Sequence, residues 1–220
     1  VALSNRYKGG IISQHIACTS PNHIDAIRKI VYMHRNNVNK HKSLCIVYAA
    51  YKVTAEMYHK ELNSMPNQRW ALYTSSDKQG GERSQNATLQ TIVDDFRAGT
   101  YDGIVSTQIG NEGLDVTHDC FDLVINACGN KSPVSIIQRI GRVQRTKRIM
   151  REESETDEQY LVRKLAKQKQ AYVYELATDI PEFRAYSQAR MNTVREHGFE
   201  VQEVDFQTDI CDAADVRRAT

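Results

Sequence analysis

"LQTIVDDFRAGTYDGIVST", residues 89 to 107, sets two structural periods side by side. Leu89, Ile92, Val93 and Phe96 fall at i, i+3, i+4 and i+7, which is one face of an amphipathic helix, and Gly99 supplies a stop after it. "GIVST" (103 to 107) is apolar without strict alternation, as strands covered on both faces of a parallel sheet are. Similar apolar runs recur outward from this pair: "GIISQHIAC" (10 to 18), "LCIVYAA" (44 to 50), "WALYTS" (70 to 75), "DLVINA" (122 to 127) and "AYVYELA" (171 to 177). Helical patterns separate them. In "NHIDAIRKIVYM", Asn22 is placed to cap, Asp25 lies in the first turn, and Ile24, Ile27 and Val31 form a stripe. "VTAEMYHKEL" follows the run at 44 to 50. This alternation predicts an α/β fold, a parallel sheet with helices on both faces.

The chain's 220 residues suffice for one domain with a substantial core, or one domain with an appendage. Its 29 Lys and Arg against 27 Asp and Glu leave a net charge of only +2, so a nucleic-acid surface would need local concentrations of positive charge. No apolar run approaches the ~18 residues of a membrane span, and no secretory signal is visible. Cys18, Cys45, Cys120, Cys128 and Cys211 are scattered and odd in number, without a C-x-x-C pair. They point to neither a disulfide framework nor a zinc site, and fit a reducing intracellular setting. The start at Val1 predicts a piece of a longer protein. Two stretches break the rhythm: the charged segment 146 to 170, read as an exposed helix or insertion, and the tail from 201 to 220.

Two segments carry chemistry. After "GIVST" comes "QIGNEGLDVTHD", where Gly110 and Gly113 let a ligand approach the main chain and Asp115 is placed to hold a ribose hydroxyl or to cap a helix. Farther on, "QRIGRVQR" (138 to 145) puts Gln138, Arg142 and Arg145 on one stripe of a helix, with Ile136, Ile140 and Val143 opposite. A glycine at 141 costs such a helix about 1 kcal/mol relative to alanine. Order along the chain brings loop and arginine stripe to the same edge of one sheet, where open parallel sheets bind ligands.

"STQIGNEGLD" resembles motif V, and "QRIGRVQR" motif VI, of the superfamily 2 helicases and translocases. "LCIVYAA" resembles motif IV, and the helix ending in Phe-x-x-Gly before "GIVST" has its counterpart there too. The segment "YVYELATDIPEFRAYSQARMNTVREHGFEV" is similar to the one following motif VI in the branch of XPB and UvsW. The resemblance spans residues 1 to 200 and implies the second, C-terminal RecA-like lobe of a two-lobed motor. By it, Arg142 and Arg145 are arginine fingers to the γ-phosphate of ATP, and Gln138 binds that phosphate or the attacking water. Gly113 and Asp115 touch the nucleotide, and Gly141 leaves room for the other lobe. Thr107 binds a nucleic-acid phosphate, with Gly81 and Arg83 of "SDKQGGER" as further backbone contacts.

The G-x-x-x-x-G-K-[ST] phosphate loop of such motors is missing from this sequence. "DEQY" (157 to 160) is similar to their acidic box but follows a charged stretch, and reads as part of the solvated insertion. Mg²⁺ is therefore expected to be held mainly by an N-terminal lobe of the same parent chain, with nucleic acid, DNA before RNA, as the other partner and no membrane. The alternatives are the motor lobe of a restriction or remodelling translocase, and a non-enzymatic nucleic-acid-binding module of RecA shape.

Overall fold

The computed structural model describes residues 16–37, 44–74, 89–107, 121–127, 133–143, 155–166, 172–178 and 180–204. In chain order these form α1 (Pro21–Asn37), β1 (Leu44–Ala49), α2 (Lys52–Asn63), β2 (Trp70–Tyr73), α3 (Leu89–Arg97), β3 (Gly103–Thr107), β4 (Phe121–Asn126), α4 (Pro133–Val143), α5 (Asp157–Ala166), β5 (Tyr172–Glu175) and α6 (Pro181–Glu196). The five strands make one sheet in the order β2-β3-β1-β4-β5, and every pairing is parallel. This is the α/β architecture expected from the alternation.

Side chains alternate across the sheet, and each face receives its own helices. Cys45, Val47, Ala49, Val105, Leu123 and Ile125 lie with Ile27, Ile30 and Val31 of α1 and Ala55, Tyr58 and Leu62 of α2. Ile46, Tyr48, Ile104 and Val124 point the other way, to Ile92 and Phe96 of α3. On that second side α4 and α6 meet through Ile136, Ile140 and Val194. The helix read from "LQTIVDDFRAG" thus buries Ile92 and Phe96 of the predicted face, and Gly99 at φ 77° ends it in a left-handed conformation that disfavours other residues.

Two local expectations change. The end of the run 10 to 18 is helical at 16–18, where strand was expected; short apolar runs do not distinguish the two states, and the polar "TSP" that follows makes a turn. The hydroxyl capping the first turn of α1 is that of Ser20, which accepts from His23 N–H at 3.3 Å, while Asn22 lies inside the helix behind Pro21. Asp25 pairs instead with Lys29 at 3.2 Å, one turn on. The "DEQY" segment opens α5 as a capping box: Gln159 N–H donates to the Thr156 hydroxyl at 3.2 Å, and Thr156 N–H to the Gln159 side-chain carbonyl at 3.0 Å. With Asp157 and Glu158 exposed at that N-terminus, the segment is a solvated helix start, as its charged context suggested.

Gly103 pairs with Trp70 across β2 and β3, and a Cβ there would sit 2.2 Å from the indole. Trp70 is 2% exposed and is held by its indole N–H to the Gln68 side chain at 2.7 Å, so it has little freedom to retreat. Gly103→Ala is expected to cost at least about 1–3 kcal/mol, measurable as a lower urea midpoint at unchanged m-value.

Candidate functional site

In an open parallel sheet the crevice forms at strand carboxyl ends where successive connections leave in opposite directions. Here β1 leads through α2 toward β2, whereas β4 leads through α4 toward β5 on the other side. The adjoining strand ends present Ala49 beside Thr107, and Tyr48, Asn126 and Glu175 in line. Thr107 is 7% exposed, and its hydroxyl has no hydrogen-bond partner among the described residues. A buried hydroxyl left open at a strand end is a group poised to bond to something approaching the rim.

Helix α4 faces this edge with a sharp division of sides. Ser135, Ile136, Arg139 and Ile140 are buried, whereas Val134, Gln138 and Gly141 are exposed. The outward stripe predicted from the sequence is therefore present at Gln138, and Arg142 lies one turn on in the same helix, its side chain outside the described residues. Among the described residues a Cβ added at Gly141 would meet nothing within 4 Å, so their packing gives no reason for a glycine there. Arg145, Gly113, Asp115, Arg83 and Gly81 lie outside the described residues.

Sequence reasoning missed a buried polar chain beneath the stripe. Arg139, at 0% exposure, donates to the Asn126 side-chain oxygen and stacks over the Tyr48 ring, 4.3 Å from its centroid. Asn126 donates through its amide to Glu175, which also accepts from Arg190 of α6, by Nε at 2.9 Å and by a second nitrogen. Ser187 accepts from Arg190 at 3.0 Å. Burial pushes the Glu175 carboxyl above its ordinary range, against the pull of Arg190 and Asn126. A signal did exist: on the helical wheel position 139 borders the apolar arc of 136, 140 and 143, next to Val143, where an arginine that turns inward must be bonded.

Two histidines also face inward. Burial lowers His23 to about 4, although its Nε2 donates to the Ala127 carbonyl at 3.3 Å. Burial lowers His34 to about 4 as well, with Nε2 paired to the Tyr174 hydroxyl at 2.9 Å. Both are neutral in the fold and charge more readily once unfolded, so stability present above pH 6.5 is lost as pH falls from 6.5 toward 4. The loss from His23 is expected to be on the order of 3 kcal/mol, with His34 adding in the same direction. Urea titrations at pH 7.5 and 4.5 check this, and His34→Phe should flatten part of the difference.

The family model described as the helicase conserved C-terminal domain matches residues 22–147. The chain belongs to that family. Its fold is that of a RecA-like helicase C-terminal lobe. It aligns with the C-terminal domain of the DEAD-box protein Dbp5 at a TM-score of 0.53 and 17% identity, covering 89% of this chain and 91% of that one. The Hef helicase domain of Pyrococcus furiosus gives a TM-score of 0.50 at 23% identity, over 78% of this chain and 28% of that one. By sequence, an ATP-dependent DNA helicase MPH1 of Coccidioides immitis is 40% identical over 70 residues, 32% of this chain and 6% of its own length. A protein named DEAD-box ATP-dependent RNA helicase FANCM, from Arabidopsis thaliana, is 48% identical over 56 residues, 26% of this chain and 4% of its own length. The chain thus matches only a small part of these relatives. They do not confirm the XPB and UvsW branch suggested by the segment after motif VI.

Proposed function

We propose that this lobe, read as residues 1 to 200 with an insertion at 146 to 170, completes the ATP site of a two-lobed nucleic-acid motor. ATP and most of the Mg²⁺ coordination belong to a first lobe in the same parent chain; this chain supplies Arg142 and Arg145 to the phosphates. The observation that carries the reading is the sidedness of α4: its apolar side is buried on α6, while Gln138 and an uncrowded Gly141 stand outward on the helix that holds Arg142. Guanidinium groups offer fixed planar donors where charge builds on a transferring phosphoryl group. Gln138 is positioned on the same stripe to bind the phosphate or orient the water, and Gly113 and Asp115 to hold the nucleotide. Thr107 offers its open hydroxyl to a nucleic-acid phosphate, with Gly81 and Arg83 as further contacts; such bonds set position on the strand and carry no base information. DNA is the favoured track, from the name carried by the fungal MPH1 relatives, and the setting is intracellular.

Arginines supplied across a gap do nothing by themselves. The isolated chain is expected to hydrolyse ATP negligibly, and turnover to require both lobes and nucleic acid. A steady rate in the isolated chain, abolished by Arg142→Ala, would overturn the two-lobe reading. Gly141→Ala separates packing from function more sharply. With open space at that position it should stabilise the isolated lobe by about 0.5–1 kcal/mol, yet slow the two-lobed motor, where the methyl group meets the opposing lobe.

A further inference from the structure

We propose that Arg139 is a positioning residue for ATP hydrolysis, setting the pose of α4 so that Arg142 reaches the phosphates; this rests on the reading of the chain as the arginine-supplying lobe. The inward side of α4 needs bulk, and Ile136 and Ile140 show that apolar residues satisfy that need on either side of position 139. An arginine adds direction. Its guanidinium is fixed by two constraints of different orientation: the Asn126 oxygen at the end of β4, and the face of the Tyr48 ring from β1. Two anchors on different strands hold the guanidinium more tightly than either does alone, and with it the freedom of α4 to shift or roll over the sheet.

Asn126 is itself held from the far side. Its amide is bonded to Glu175 of β5, and Glu175 to Arg190 of α6, the helix against which α4 packs. The pose of α4 is thereby referred to three strands and to its neighbouring helix, through bonds that tolerate little change of geometry. Arg142 lies three residues beyond Arg139 in the same helix, so its placement follows the pose of α4. At the ~5–6 Å radius of a helix with its side chains, a roll of about 10° moves a side-chain tip by about 1 Å. A misplacement of that size costs on the order of 100-fold in rate. A greasy contact at position 139 permits such a roll; the guanidinium clamp does not.

The test uses the parent two-lobed motor with saturating nucleic acid, comparing Arg139→Met, Arg139→Lys, Arg142→Ala and the double variant Arg139→Met/Arg142→Ala. Steady-state ATPase is measured at a temperature where circular dichroism shows each protein folded. Arg139→Met should lower kcat about 10- to 100-fold with KM for ATP changed less than about threefold. Arg139→Lys, which keeps a cation over Tyr48 but loses the fork, should fall in between. Because Arg139 acts through Arg142, its loss in the Arg142→Ala background should lower kcat no further. A kcat within about twofold of the parent in Arg139→Met, or in Arg139→Lys if the methionine variant does not fold, overturns the proposal. So does an equal loss in both backgrounds, the mark of a merely structural role. Arg142→Ala without effect overturns instead the assignment of the lobe on which the proposal stands.

Discussion

Arg142→Ala in the parent two-lobed motor is expected to lower nucleic-acid-stimulated ATP turnover by about 10³-fold or more, the scale on which arginine fingers act in phosphoryl transfer. Folding of the lobe should be untouched, because the buried contacts of α4 are made by Ile136 and Ile140. An exposed surface ion pair is worth only about 0–1 kcal/mol, so the size of the loss separates a catalytic arginine from a solvated one. Arg142→Lys should not restore the rate, since one ammonium cannot reproduce the planar fork. The measurement is single-turnover ATP hydrolysis with nucleic acid in excess, alongside a melting curve of each variant.

Glu175→Ala is expected to be the most damaging single change to the fold, at about 3–5 kcal/mol, because it removes the acceptor of Arg190 and a partner of Asn126 while leaving the cations buried. Glu175→Gln should cost less, since its amide oxygen still accepts from Arg190. Burial pushes this carboxyl up, against the pull of Arg190 and Asn126. Denaturant midpoints for the three proteins at pH 7.5 give the order wild type, Gln, Ala; an alanine variant as stable as the glutamine one would show that the chain of bonds through Glu175 contributes nothing to stability.

The fold was readable because its elements obey two periods that local sequence displays. "GIVST" has no polar face and becomes the fully buried β3, and the Leu89 to Phe96 stripe becomes α3. Period alone did not give the strand order, which depends on which edge each crossover reaches. Nor did it separate helix from strand at residues 16–18, where the apolar run is too short. At the site, Gln138 was legible as outward because the stripe of Gln138, Arg142 and Arg145 lies opposite Ile136, Ile140 and Val143, and the structure shows it exposed. Arg139 was passed over although its neighbours placed it inward, because its partners Asn126 and Glu175 lie on strands whose proximity only the sheet reveals. The roles given to Gly113, Asp115 and Arg145 rest on resemblance of motif, with their positions outside the described residues.

The strand order also bears on how the chain is born. β1 is flanked by β3 and β4, and its own successor β2 reaches the sheet only beyond β3. A ribosome making this protein therefore releases a strand with no mate yet in existence, and its Ile46, Val47 and Tyr48 wait exposed until the third and fourth strands follow. Nascent chains arrested before Gly103 should associate with holdase chaperones and resist none of the proteases that spare the finished lobe, whereas release beyond Asn126 lets the centre of the sheet close in one cooperative event.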